Sequence, residues 1–430
     1  MVPGKFRAII IGGGPIGLAI ANGLDRAGLD FVILERYPAI ASDSGAGIML
    51  WPHTDKTTTR LDGTPLRSSS IFKYLSDKFV PFGSISHFSF TKPQFSHGYP
   101  CMNFPRPALV QTLFDGLGAA KTKVRTGANI DNIEMTEKGV RVHLHDGGIE
   151  EGSIVIGADG VHSQTRAIMQ KLAEQAGDDF AKDEDPIVSS YQIMYGRAKC
   201  LPNAEIGTFY ETHGTYMSSQ VSADKKRMHF GIYRKLPNPT TDLKKEYSED
   251  EVAEFVEAFS DVMVMPRLSF AELYKNCEWT KLVNQPEGLV KRWHYGRIVL
   301  AGDSSTMMTA AAGMGVNNGI QSAVLLVNKL YELLSVNSEP DTQAFERVFE
   351  EYQNTRREQS QRICGLAARM IRTNTWDSYM LWFLGDVVFP WLFSDEKLIA
   401  KAGTDLLRGM YKFSFIEKDL QSGKIPWLES

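Results

Sequence analysis

Ala8 to Ile11 form an unbroken apolar run, the pattern of a strand buried on both faces. Glycines follow in Gly12-Gly13-Gly14-Pro15-Ile16-Gly17, and then the period changes. Leu18, Ile20, Ala21 and Leu24 recur at helical spacing up to Gly28. A second apolar run, Phe31 to Leu34, ends in Glu35. Two later apolar runs also stop at an acid. Ile154-Val155-Ile156 leads into Gly157-Ala158-Asp159-Gly160, and Ile298 to Ala301 leads into Gly302-Asp303. After the second, a polar turn opens through Gly313, Met314, Gly315, Val316 and Asn317 onto the helical run SAVLLVNKLYELL. Between these motifs Ser189–Lys199, Ile206–Ser222 and Lys226–Leu236 alternate polar and apolar residues, which predicts antiparallel strands with His213-Gly214 as a turn. Ser248 reads as the N-cap of a helix with acids in its first turn. The segment FERVFEEYQNTRREQSQRICGLAARMI reads as one long amphipathic helix.

The first motif has a physical logic. Gly12 makes a tight turn, Gly14 lets a pyrophosphate touch the main chain, and Gly17 lets the helix sit close on the strand. The helix N-terminus offers oriented N–H groups to the phosphate. Glu35, about 20 residues on, can accept both ribose hydroxyls. An acid there disfavours a 2′-phosphate, so NADP is not the resident nucleotide, and FAD and NAD both fit. The plain alternative, a glycine turn with no ligand, requires strand, helix, strand and acid to line up by coincidence.

Taken together, the Gly12–Gly17 motif, GSIVIGADGVHSQTR (152–166) and GRIVLAGDSS (296–305) resemble the three fingerprints of the single-component FAD monooxygenases, the flavoprotein aromatic hydroxylase family. The resemblance spans nearly the whole chain in the family's order. The ending, FSFIEKDLQSGKIPWLES, is similar to FAD epoxidases and hydroxylases of fungal meroterpenoid and indole-alkaloid pathways. It implies an α/β fold: a Rossmann-like FAD-binding domain (1–75, 100–188 and 280–370), an inserted antiparallel-sheet substrate domain (76–99 and 189–279) and a helical C-terminal region (371–430). It also implies that Asp303 holds the ribityl chain and that Gly313 to Asn317 face the pyrimidine edge of the flavin. Arg106, before a predicted helix, would reach the pyrophosphate or ribose. Gly45 and Gly47 would cover the ring from another side. Arg36 and Asp159 complete the expected cofactor set.

Several positions depart from the family pattern. Thr306 stands for a usual histidine, Ala310 and Ala312 for prolines, and Ser322 for an aspartate. A proline replaced by alanine restores main-chain freedom and would loosen the turn. The segment WPHTDKTTTRLDG after Gly47 reads as polar where relatives usually have an apolar helix. Relatives place Tyr-Arg on the first strand of the sheet, whereas this chain has Tyr191-Gln192. The lost arginine suggests a substrate without an anionic group. Among the sheet's aromatic residues, Tyr216 near a hairpin is the candidate for a hydroxyl facing substrate, and Tyr216 and Gln192 are the catalytic candidates.

Composition narrows the picture further. The 430 residues carry a formal net charge of −4 and no basic run, which argues against nucleic acid as a partner. Cys101, Cys200, Cys277 and Cys364 are widely spaced, as in reduced thiols of an intracellular protein. No metal-ligand cluster and no Gly-x-Ser-x-Gly nucleophile elbow occurs. The segment YMLWFLGDVVFPWLF (379–393) is too short and interrupted to span a bilayer. It reads as a buried or subunit-packing helix, or as a peripheral membrane contact, giving a cytoplasmic or membrane-associated location. The resemblance thus implies an enzyme with tightly bound FAD and with NADPH or NADH as transient reductant. Through a flavin C4a-hydroperoxide it would insert one oxygen atom from O2 into an electron-rich alkene, indole or phenol of an apolar secondary metabolite. The alternative is a repurposed flavoprotein acting as cyclase, isomerase or oxidase without oxygen insertion.

Overall fold

The computed structural model describes residues 6–41, 45, 47–50, 105–178, 187–202, 204–206, 209–224, 226–388 and 411–416, with main chain alone for 64–65, 84–88 and 102–104. Six strands make one sheet in the order 294–295, 298–300, 154–157, 7–11, 30–35 and 124–126. All pair in parallel except the edge strand His294–Tyr295. Parallel strands need both faces covered, and alternate residues do this here. Ala8 and Ile10 pack with Leu18, Ile20, Val324 and Phe345, on the side of the helices Pro15–Arg26, Gly315–Val336 and Thr342–Asn374. Ile9 and Ile11 pack with Ile133, Val142 and Met169, under a three-stranded sheet and the helix Gln164–Gln175.

A second, seven-stranded antiparallel sheet runs in the order 306–307, 277–289, 188–199, 227–240, 217–223, 209–214 and 84–88. On one face Met194, Phe230 and Ile232 pack with Phe255, Phe270 and Leu273 of the helices Glu249–Phe259 and Phe270–Lys275. The other face carries Tyr191, Ile193, Tyr195 and Tyr233, which pack with Ala310, Ala311 and Ile371. The sheet therefore lies against the loop that follows Asp303.

The expected helix at Ser248 is present, and its capping box with Glu251 is complete. The hairpin is not where the alternation predicts it. His213 and Gly214 both pair within the strand Phe209–Gly214, and the turn falls on Thr215-Tyr216. Tyr216 takes φ of 60°, held by its N–H on Thr375 O at 2.7 Å and by its carbonyl accepting from Lys235 N at 2.9 Å. A contact from outside the hairpin thus puts a tyrosine where the sequence would favour glycine.

Of the segment 379–393, the structure describes the portion up to Val388, a helical turn Tyr379–Trp382 continuing as a π-helix, Phe383–Val388. Tyr379, Met380, Phe383 and Val387 are exposed, while Asp386 turns inward onto His213 at 3.1 Å and onto Trp376 Nε1. No helix among the described residues is long and apolar enough to cross a membrane.

Candidate cofactor site

At the C-terminal end of the strand Arg7–Ile11 the chain turns at Gly12, whose φ is 106°. A Cβ there would lie 2.6 Å from Ala158 O. At Gly17 a Cβ would lie 1.9 Å from Gly12 O, so only glycine lets the helix approach. Beside Gly14, apart from its own helix and chain neighbours, no atom of the described residues comes within 4 Å of that position, leaving the main chain open where a phosphate would sit. Glu35 accepts from Gly13 N at 2.6 Å and from Tyr37 N at 2.9 Å. It is thus fixed in orientation, and a carboxylate's remaining lone pairs stay available for hydroxyls.

The second wall comes from three distant segments. Gly45 abuts Arg106, whose Cδ would lie 2.8 Å from a Cβ at Gly45. The Asn317 amide donates to Met49 O at 2.8 Å and to Gly313 O at 2.7 Å, tying the strand Gly47–Leu50 to the start of the helix Gly315–Val336. Gly313, with φ of 61°, makes the left-handed turn into that helix, and Gly315 has open space beside it. Met314 is buried and Val316 partly buried, so these two contribute main chain to the opening while their side chains pack inward.

Asp303 sits between these walls. Its side chain is reached by solvent, yet protein encloses it closely enough that burial pushes the carboxyl up to about 6, against the opposing pull of the Arg106 cation. It accepts no hydrogen bond from a described residue. A carboxylate set between these walls, reached by solvent and with no donor among the described residues, fits the hydroxyls of a ribityl chain.

The loop from 306 to 312 differs from what its composition predicts. Ala310 N–H donates to the Gln285 side chain at 3.0 Å, and Ala311 O accepts from Gln220 at 2.7 Å. A proline at 310 could not make the first bond, so the lost ring is offset by an anchor to the sheet rather than by looseness. Gln285 also bonds Tyr195, whose phenol burial raises above the usual range. Thr306 is buried with no partner for its hydroxyl among the described residues.

Other expected site residues lie differently. Asp159 accepts from Ser163 Oγ at 2.6 Å, Thr165 N at 2.9 Å and Thr165 Oγ1 at 3.0 Å, clasping the start of the helix Gln164–Gln175. Arg36 lies over the exposed Tyr37 ring. Gln192 is buried on the far face of the sheet, its amide between Arg234 and Tyr247. It therefore points away from Asp303, because successive residues of a strand face opposite sides. Tyr216 is 52% exposed under the Lys235 ammonium. Its main chain meets Thr375, at the end of the helix Thr342–Asn374. Gln192 is therefore turned away from Asp303, and Tyr216 is held at the hairpin turn by Thr375 and Lys235. The residue that is brought near Asp303 is Tyr195, three positions beyond Gln192 and on the opposite face. The aromatic alternation of the strand held that signal.

These features match known proteins. The model of an FAD binding domain matches residues 5–366. The chain belongs to the family of FAD-dependent monooxygenases. The FAD-dependent monooxygenase srdH of Neurospora crassa is 31% identical, over 98% of both chains. Among solved structures, Klebsiella pneumoniae HpxO complexed with FAD and uric acid superposes with a TM-score of 0.70 at 20% identity, covering 94% of this monooxygenase and 97% of that chain. The Diels-Alderase PyrE3 of pyrroindomycin biosynthesis gives 0.65 at 21%, covering 94% and 80%. The open main chain at Gly14 and Gly315 and the Asp303 carboxylate, which accepts from no described residue, are what FAD would need from this monooxygenase.

Proposed function

We propose that this monooxygenase inserts one oxygen atom from O2 into an electron-rich alkene, indole or phenol of a small apolar metabolite, with NADPH or NADH as a transient reductant. The observation carrying this is the meeting of Asp303, Arg106 and the open start of the helix Gly315–Val336 beneath the aromatic face of the sheet. FAD, when bound and reduced, supplies the activation of oxygen. Asp303 would orient the ribityl chain and Arg106 would neutralise phosphate charge. Main-chain N–H groups at Gly315 to Asn317 would face negative charge on the ring. Tyr195, Ile193 and Val283 would exclude water from the reacting side. A single glycine fingerprint supports a nicotinamide that binds and leaves.

Anaerobic mixing with NADPH should bleach the flavin, faster with substrate present, and readmitted labelled O2 should appear in product. Product formed without NADPH or oxygen would favour the second possibility, a cyclase or isomerase, to which the likeness to a Diels-Alderase lends support.

A further inference from the structure

Arg356, in the helix Thr342–Asn374, is completely buried. Its Nε donates to Ser322 Oγ at 3.1 Å, and its two terminal nitrogens donate to Asn318 O at 3.1 Å, to Asn318 Oδ1 and to Gln359 Oε1. Ser360 Oγ supports the same Asn318 oxygen at 3.3 Å. Every partner is neutral. The oppositely acting groups that this cation senses are the phenols of Tyr352 and Tyr411, and no carboxylate pairs with it among the described residues. Arg372, only partly buried on the same helix, is by contrast clamped by Glu287 at 2.9 and 3.2 Å. A guanidinium remains charged even when burial disfavours it, and a buried charge without a counter-charge is costly. Such an arrangement suits a charge that is answered by something other than a side chain.

Its position suggests what answers it. Asn318 lies in the first turn of the helix Gly315–Val336, its N–H on Met314 O at 2.8 Å. The helix dipole already makes this end positive, and the guanidinium adds a full charge of the same sign within a turn of it. Low local dielectric strengthens both. The face beside Gly315 is open. Hydride transfer from a reduced nicotinamide, leaving the oxidised nicotinamide behind, adds one negative charge to a neutral flavin ring, and that charge would fall at this opening.

We propose that Arg356 is a positioning residue whose buried, neutrally partnered charge beneath the first turn of Gly315–Val336 favours the reduced, anionic cofactor and raises its reduction potential. This rests on the flavin lying at that helix start. Ser322 is the natural control, because its hydroxyl occupies the place from which a carboxylate would neutralise the cation.

The test is the midpoint potential of the bound flavin, measured on the holoenzyme by equilibrium reduction against a reference dye. Arg356→Gln and Ser322→Asp should both move it negative. A tenfold loss of preference for the reduced form corresponds to about 30 mV for a two-electron couple. Arg356→Lys should retain most of the wild-type value. Should Arg356→Gln fail to fold, Ser322→Asp still reports, since it keeps the cation and adds its counter-charge. Flavin-loaded Ser322→Asp protein with an unchanged potential would overturn the inference, as would an Arg356→Lys shift as large as that of Arg356→Gln. Protein that takes up no flavin at all would overturn the cofactor assignment as well.

Discussion

Gly17 and Gly196 forbid a side chain in the two halves of the molecule, but for different reasons. A Cβ at either would stand 1.9 Å from its nearest neighbour. At Gly17 that neighbour is the Gly12 carbonyl, part of the main chain that shapes the nucleotide turn. At Gly196 it is the tip of the Phe230 ring, which can rotate into the apolar layer beneath the helices Glu249–Phe259 and Phe270–Lys275. The nucleotide half is built from main chain against main chain, whereas the sheet half is built from side chains that can repack. Gly17→Ala should therefore abolish flavin uptake and yield little folded protein. Gly196→Ala should cost about 1–3 kcal/mol, the usual range for overpacking, and leave flavin in place. Expression, flavin content and thermal melting of the pair would check this, and equal losses in both would break the contrast.

The sheet half has its own rigid point, and it is electrostatic. His213 is held by Asp386 at 3.1 Å and lies 3.8 Å from Glu211, which also accepts from Gln220 and Asn374. Burial works against the His213 cation, but the two carboxylates outweigh it and raise its pKa to about 9. A raised histidine contributes stability that is complete below its ordinary value of 6.5 and disappears as pH climbs through 9. His213→Leu would leave two carboxylates facing an uncompensated interior, a loss on the order of 3–5 kcal/mol. Urea unfolding at about neutral pH and again near pH 9 should show the wild type approaching the variant at the higher pH. Parallel pH dependence in both would remove the histidine from the account.

The same contrast explains what could be read from the sequence. The Gly12–Gly17 turn, Glu35 and Asp303 follow from local order along the chain, because main-chain geometry is fixed by neighbours in sequence. The facing of the sheet is not local. The irregular pairing between Ser189 and Tyr191 offsets the strand against both of its neighbours, and Gln192 ends on the outer face while Tyr195 ends on the inner. The hairpin turn lies beyond His213-Gly214, where Thr375 holds Tyr216, and Gly214 instead makes room for the Met217 side chain. Arg356 gave no signal, since its partners on the other helix lie 34 and 38 residues away, Gln359 is the only one nearby among those named, and all are neutral. Ala310 reads as a loss until its N–H meets Gln285 across the fold.

Asp303 offers the finest test, because it belongs to the nucleotide half yet behaves like a side-chain site. Burial pushes its carboxyl up to about 6, above the ordinary 3.8, outweighing the pull of Arg106. The folded protein therefore holds this proton more tightly than the unfolded chain, and the group's contribution to stability falls as pH rises from about 4 to about 6. Hydroxyl donors from a ribityl chain favour the ionised form and would release the proton. FAD affinity should accordingly rise with pH, up to tenfold per unit, and level off above about 6. Asp303→Asn cannot ionise and should bind more weakly at neutral pH with a flat profile. Fluorescence titration of FAD across this range would decide the point. A wild-type profile as flat as that of the asparagine variant would mean that the Asp303 carboxylate does not meet the cofactor, and that the main chain around Gly14 and Gly315 holds it unaided.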